Sequence, residues 1–227
     1  MALFSRKTEG SRKSDSHKDR PGWGLERPLW TAGYACTAGI DEAGRGALAG
    51  PVVAAAVVLP FAEYPFDDSK KLTAATRETL AEEVRSCALA WSVAQASAAE
   101  VDALNVLRAT HLAAQRALAA LPLHIDALVT DFLKLNFPGP VTAAVKGDAQ
   151  SYQIAAASIL AKTTRDQLMV DAHDDDPLYG FAQHKGYGSP YHLAALSEHG
   201  PCALHRKSFR PVAQRIAQAP LFGCADG

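Results

Sequence analysis

The sequence predicts an α/β fold, on three observations. An apolar approach from Tyr34 to Ile40 meets a glycine-rich turn and then the apolar run Val52 to Pro60, which reads as a strand hairpin. Downstream, stretches of helical period alternate with short apolar runs, the pattern of a sheet covered by helices. Three of the expected strands carry acids at or just past their ends: Asp41-Glu42, Asp131 and Asp148. Sites in open α/β sheets form beyond the carboxyl ends of strands, so the coincidence points to one shared site.

Length and composition set the bounds. The chain has 227 residues, 48% of them hydrophobic, enough for one sizeable core. No run of ~18 apolar residues exists, and the N-terminus lacks the apolar stretch of a secretory signal. Cys36, Cys87, Cys202 and Cys224 show no C-x-x-C spacing and are expected to be reduced thiols of a cytoplasmic protein. Net charge is −1, so bulk charge does not argue for nucleic acid.

Residues 1–30 mix small, polar and basic residues, with Pro21 to Trp30 irregular, and are expected to form a disordered, mildly basic tail. The fold proper is expected over 31–215, with 216–227 a second flexible tail. Along a regular strand neighbouring side chains point to opposite faces, so Asp41 and Glu42 could not both serve one site, and the strand is expected to end or bulge here, with the glycines from Gly44 to Gly50 giving the backbone freedom. The glycines fit neither a dinucleotide fingerprint, being one residue too long, nor a P-loop, since Pro51 follows Gly50.

After the hairpin, Thr73 caps a helix over 74–87, and Leu89, Trp91 and Val93 alternate as a strand. Ser97 to Glu100 is a capping box opening one long helix. Its apolar face is read as Leu104, Leu107, Ala114, Leu118 and Leu121, with His111 a core histidine on the same face. Pro122 ends it. Ile125–Asp131 and Val141–Val145 are short strands, and Tyr152 onward is an Ala-rich helix running to the Asp174–Pro177 stop. From Gly180 the segment turns basic and His-rich, with Lys185, Arg206, Lys207, Arg210 and Arg215 around Tyr187 and Tyr191, which suits a phosphate backbone.

Clustered carboxylates need cations to be tolerated near neutral pH, and Mg²⁺ suits few protein carboxylates plus phosphate oxygens. A two-metal phosphodiester hydrolase follows. Two alternatives stay open: Asp131 and Asp148 as ordinary turn residues, and zinc on His192, His199, Cys202 and His205, a spacing that matches no finger pattern.

The residues resemble one family closely, the bacterial ribonucleases HII. The matching stretches are GIDEAGRGALAGPVVAAAVVL (39–59), DSKKL (68–72), the strand ending in Asp131, VKGD (145–148), AAASILAKTTRD (155–166), YGFAQHKGYGS (179–189) and HRKSF (205–209), in family order. The resemblance implies a ribonuclease H-like mixed five-stranded sheet flanked by helices, with a small helical C-terminal segment. It implies an endonuclease acting on the RNA strand of RNA/DNA hybrids and at ribonucleotides embedded in duplex DNA, leaving 3′-hydroxyl and 5′-phosphate ends, with two Mg²⁺ or Mn²⁺ ions. By position, Asp41, Glu42, Asp131 and Asp148 would be the metal-binding acids. Gly44, Arg45, Gly46 and Tyr187 would read the RNA–DNA junction, and Lys70, Lys185, Arg206 and Ser208 would grip phosphates. Asp166 matches a further family acid but suits equally a surface partner for Arg165 or Lys162.

Phe132 departs from the small residue usual in the family, and Ser189 stands where Thr is commoner. The sister type-three enzymes differ in the glycine loop and in a folded N-terminal domain. A non-catalytic hybrid-binding protein and a junction-resolvase-like nuclease of the same superfamily are the rivals; all four acids are present, and the GRG and HKGYG stretches oppose the second. A monomer is expected. No clear clamp-binding peptide is visible, Ala219 to Phe222 being too short a hint.

Overall fold

The structure is a computed structural model and describes residues 21–66 and 72–218. Five strands, β1 (Thr37–Ala43), β2 (Val52–Val58), β3 (Ala90–Ala96), β4 (Ala127–Asp131) and β5 (Val141–Ala144), form one mixed sheet in the order β3-β2-β1-β4-β5. The β1–β2 and β2–β3 pairs are antiparallel, as the hairpin reading requires. The β1–β4 and β4–β5 pairs are parallel, so three strand ends emerge on one edge of the sheet.

Helices cover both faces. On one face lie α2 (Ala74–Cys87) and the 24-residue α5 (Tyr152–Asp175), which is buried all round over its first ten residues. On the other lie α3 (Ala98–Leu104) and α4 (Val106–Ala119). The core of β2 reads Val-Val-Ala-Ala-Ala-Val-Val and is buried on both faces, as a central strand demands. Beyond α5, α6 (Phe181–His184), α7 (Pro190–His199) and α8 (Arg210–Gln218) make the helical C-terminal segment.

Helix α2 and its Thr73 cap, and the Ser97–Glu100 capping box, stand where the sequence puts them. Four expectations are corrected. First, the long helix is broken at Asn105, whose φ of +69° no β-branched residue would accept; its side chain then caps α4 by accepting from the Arg108 N–H. Second, of the expected apolar face Ala114 and Leu121 are buried and Leu118 packs on the core, but Leu107 is exposed and His111 only half-buried, and the stripe is completed by Ala109, Ala113 and Ala117. Small residues win because α4 lies directly on Ala54 and Ala56 of β2, where a larger side chain would hold helix and sheet apart.

Third, Pro21 to Trp30 is not irregular. A short helix, α1 (Glu26–Thr31), follows Trp23, which is buried among Trp30, Phe61, Tyr64 and Tyr152 and donates its indole N–H to the Ala62 carbonyl at 2.7 Å. Few apolar residues suffice here because the aromatic ones are large. The expected tail before it, residues 1–20, and most of the one after 216 lie outside the described residues.

Fourth, β1 neither ends nor bulges at the paired acids. Its register against β2 is unbroken from Gly39↔Val57 to Ala43↔Val53. Asp41 therefore shares a face with Gly39 and Ala43, toward α5, while Glu42 shares the face of Ala38 and Ile40.

Candidate active site

The parallel pairing sets Thr130 beside Ile40, so the next residues along, Asp41 within β1 and Asp131 at the end of β4, lie side by side. β5 ends one strand further out, and the chain turns through left-handed Lys146 into a single 3-10 turn carrying Asp148. Carboxylate oxygens of Asp41, Asp131 and Asp148 lie within 4.8 Å of one another. Asp41 and Asp148 are buried and Asp131 half-buried.

Each carboxylate is oriented by its surroundings. Asp131 accepts from the Gly147 N–H at 2.9 Å, and Asp41 from the Glu42 N–H at 2.7 Å and from the Ser158 hydroxyl on α5. Burial pushes the Asp41 carboxyl well above the usual carboxylate range, and the charges of Glu42 and Asp131 push it further. The donors are all hard carboxylate oxygens, which fits Mg²⁺ or Mn²⁺ rather than zinc. Among the described residues His192, His199, Cys202 and His205 form no comparable group.

Glu42 is not one of the three, though its charge bears on Asp41 more than that of Asp131. Its carboxylate meets Arg45 Nη1 at 3.1 Å, and it acts on Asp41 through charge. The parity of an unbroken strand explains the separation.

The glycine-rich loop is held from beneath by two fully buried arginines. Arg165 donates to the carbonyls of Pro51 and Ala49, both at 3.2 Å, and Arg206 to those of Gly50 at 3.0 Å and Arg45 at 2.9 Å. Burial lowers both guanidinium pKa values, that of Arg206 to about 10 with the Arg165 charge adding to the effect. Arg206 is thus not placed to grip a phosphate; its hydrogen bonds go to the loop. Gly44 has φ +94°, and a Cβ there would lie 1.9 Å from Arg165 Nε, so glycine is needed for packing on α5. Gly46 differs: a Cβ would come no nearer than 4.0 Å, to the Tyr187 ring, so this glycine opens toward Tyr187.

Tyr187 is 38% exposed, and its ring lies 5.1 Å from the Arg165 guanidinium and 5.8 Å from Lys162 Nζ. Beside it runs a groove of ≈ 430 Å³ lined by Arg77, Lys162, Asp166, Gln183, Lys185 and other residues. Lys185 donates to the Ala182 carbonyl at the groove wall. Asp166 pairs with Lys162 at 2.5 Å and Arg77 at 3.4 Å and lies outside the group of three acids. The exposed Ser208 bonds Asp102 through its N–H at 2.8 Å and its hydroxyl at 2.6 Å. Lys70 lies outside the described residues.

Ser158, Lys162 and Arg165 are the site residues that reading the sequence missed. Their spacing of four and three residues puts them on one face of α5, a signal available once that helix is set against β1. Phe132, the departure after Asp131, takes φ +58° and is 69% exposed, and its N–H still closes on the Ala144 carbonyl at 2.9 Å, so the acid's backbone is kept.

A sequence model described as Ribonuclease HII matches residues 38–212. Ribonuclease HII of Thermus thermophilus is 55% identical over 199 residues, covering 86% of this chain and 98% of its own. Among solved structures, ribonuclease H2 from Pyrococcus horikoshii OT3 shares the fold at a TM-score of 0.68 and 23% identity, over 80% of this chain and 97% of its own. RNase HII from Archaeoglobus fulgidus, solved as a PCNA complex, aligns with a TM-score of 0.62 and 26% identity over 79% and 96%. With the mixed sheet, the three converging acids and matches of this extent in hand, the chain belongs to the ribonuclease HII family.

Proposed function

We propose that this protein is an endonuclease that hydrolyses the RNA strand of RNA/DNA hybrids and cuts at ribonucleotides embedded in duplex DNA, leaving 3′-hydroxyl and 5′-phosphate ends. The observation that carries the reading is the convergence of Asp41 in β1, Asp131 at the end of β4 and Asp148 in the turn after β5, three neighbouring strands of the sheet. Family membership supports the substrate class.

Asp41, Asp131 and Asp148 would hold divalent metal, with Glu42 adding its charge from the adjacent position. Two Mg²⁺ or Mn²⁺ ions, when bound, would lower the pKa of the attacking water and neutralise charge on the phosphate and the leaving 3′-oxygen. In the hydrolysis the water oxygen bonds phosphorus, the P–O3′ bond breaks, and the leaving oxygen takes up a proton. Ser158 keeps Asp41 oriented, and the Gly147 N–H does so for Asp131. Lys162, Lys185 and Arg77 line the groove and would meet backbone phosphates, with Lys70 and Ser208 further contacts.

RNA differs from DNA at the cut through its 2′-hydroxyl and the pucker that follows. Arg45 and the backbone of Gly44 and Gly46 would face that hydroxyl, with Tyr187 offering its phenol to the same oxygen and its ring to the neighbouring deoxyribose. The open side of Gly46, toward Tyr187, supports this placement. The protein is expected to act as a monomer, and no clamp partner is proposed.

The test is the purified protein with Mg²⁺ or Mn²⁺ on a labelled duplex holding one ribonucleotide, beside a continuous hybrid and an all-DNA duplex. Cleavage of the first two with a 5′-phosphate product end is expected. Equal cleavage of the all-DNA duplex, or none of any substrate, would overturn the reading.

A further inference from the structure

Behind Tyr187 lies a cluster of imidazoles that plays no part in the chemistry above. His192 and His205 are fully buried, with exposures of 0% and 1%, and their Nε2 atoms are 3.0 Å apart. His205 Nδ1 faces the Cys202 N–H at 3.0 Å, and His192 Nδ1 faces the Tyr187 carbonyl at 2.9 Å.

These contacts permit one arrangement of protons. A carbonyl only accepts, so His192 carries its proton on Nδ1 and its Nε2 is bare. A backbone N–H only donates, so His205 Nδ1 is bare and its proton sits on Nε2. The Nε2–H of His205 then donates to the bare Nε2 of His192. The result is a one-way chain from the Cys202 N–H through His205 and His192 to the Tyr187 carbonyl. That carbonyl also accepts from the Ser189 N–H at 2.8 Å, so its position is fixed from two sides. His184 stacks on His192 at 4.4 Å and 10° and is itself fixed: its Nε2 donates to the Tyr179 carbonyl at 2.8 Å, and its Nδ1 accepts from the Gly186 N–H at 3.2 Å.

We infer that His205 and His192 are positioning residues for Tyr187: His205 locks His192 in its Nδ1–H tautomer, and that N–H sets where the tyrosine stands against the ribose. The inference rests on the proposed role of Tyr187 as junction reader. Without the His205 donor, His192 is free to move its proton to Nε2, and its bare Nδ1 would then repel the carbonyl it now holds. No sequence spacing announces this, because the two histidines meet only when α7 and the strand-like segment at His205 fold together.

Two measurements test it on the full-length protein. Nitrogen-15 NMR of the imidazoles should show His192 as the Nδ1–H form and His205 as the Nε2–H form; the opposite tautomer at His192 overturns the chain outright. The second is the ratio of kcat/KM on a single embedded ribonucleotide to that on a continuous hybrid. His205→Leu should lower this ratio about three- to tenfold, the scale of one lost buried hydrogen bond. His205→Gln, whose amide can donate from near the Nε2 position, should recover most of it, as should His192→Asn, whose amide mimics the Nδ1 donor. In a Tyr187→Ala background, His205→Leu should change the ratio by less than about twofold. If Tyr187→Ala lowers the ratio while folded His205→Leu protein does not, the positioning role is wrong and the reader stands. If His205→Leu acts equally with and without the tyrosine ring, the histidines act elsewhere and the inference also falls. If Tyr187→Ala leaves the ratio intact, the reading of Tyr187 is what fails, and the positioning role falls with it.

Discussion

Two buried clusters of titratable groups sit on either side of the glycine-rich loop, and they are built on opposite terms. On neighbouring strands of the sheet and the turn beyond β5, Asp41, Asp131 and Asp148 press like charges together, with the Asp41 carboxyl raised by burial and by its neighbours. In the C-terminal segment, His184, His192 and His205 are held neutral, and each ring nitrogen of the three has a hydrogen-bond partner. A cluster that satisfies itself is architecture. A cluster that repels itself is waiting for something of opposite charge, and there the chemistry is to be sought.

Removing charge from the acid side should break the contrast most. Asp41→Asn nearly keeps the shape, so folding should survive and the ion-free melting temperature should rise. Turnover should fall by about a thousandfold or more, since a divalent site supplies several kcal/mol of transition-state stabilisation. Steady-state cleavage and a melting curve on the same preparation check both halves; near-wild-type turnover would exclude Asp41 as a metal ligand.

Adding the missing charge comes next. Mg²⁺ or Mn²⁺ binding the folded state alone should stabilise it by about 2.7 kcal/mol at a hundred times Kd. Protons compete for the same carboxylates, so the gain in Tm should be larger at mildly alkaline pH than at pH 5, and activity should climb over the same range. A melting curve unmoved by millimolar ion at both pH values would speak against a tight acid cluster.

The pH response of the ion-free protein sharpens the comparison, because the clusters pull in opposite directions. Burial lowers the imidazole pKa values from the ordinary 6.5, that of His205 to about 4. Their contribution is present above pH 6.5 and is lost as pH falls toward 4, for His205 about 3 kcal/mol at about 1.36 kcal/mol per pH unit. The Asp41 pKa is raised, so its contribution is present at acid pH and is lost as pH rises through the folded value. Asp41→Asn should therefore steepen the loss of Tm between pH 6.5 and 4, and the His192→Asn, His205→Gln double variant should flatten it. Parallel Tm profiles for all three proteins would show that neither cluster governs the acid limb.

The smallest effect is expected at Cys202, whose Sγ lies 3.2 Å from His205 Nδ1. Its backbone N–H already holds that nitrogen, so Cys202→Ala should cost below about 1 kcal/mol and leave the His192 tautomer unchanged by NMR.

The acids of the site were legible because each follows an apolar run, and an acid at the end of a strand shows in a one-dimensional pattern. A strand end or bulge was expected at Asp41-Glu42; the straight register of β1 instead keeps the two acids on opposite faces, which an acidic pair in a sequence does not reveal. Arg206 looked like a phosphate grip because a run of basic residues carries no mark of burial, and only the fold shows its guanidinium beneath the loop. The helix over the sheet was legible, but its large residues drew attention away from Ala109, Ala113 and Ala117, which make the contact. The break at Asn105 was invisible because nothing in the sequence marks this asparagine, rather than a glycine, for a positive φ.

The partners of the loop also order events during synthesis. The three acids and the helix behind them are complete once the chain has reached about Asp175. The carbonyls of Gly50 and Arg45 wait for Arg206, 156 and 161 residues further on in sequence, and Leu48 waits for the N–H of the same residue. Such distant closures come late and slowly in folding. A nascent chain on the ribosome thus carries its charged pocket before its glycine-rich loop is pinned in place, and under the proposed reading it is the last strides of translation, rather than the assembly of the sheet, that would confer discrimination.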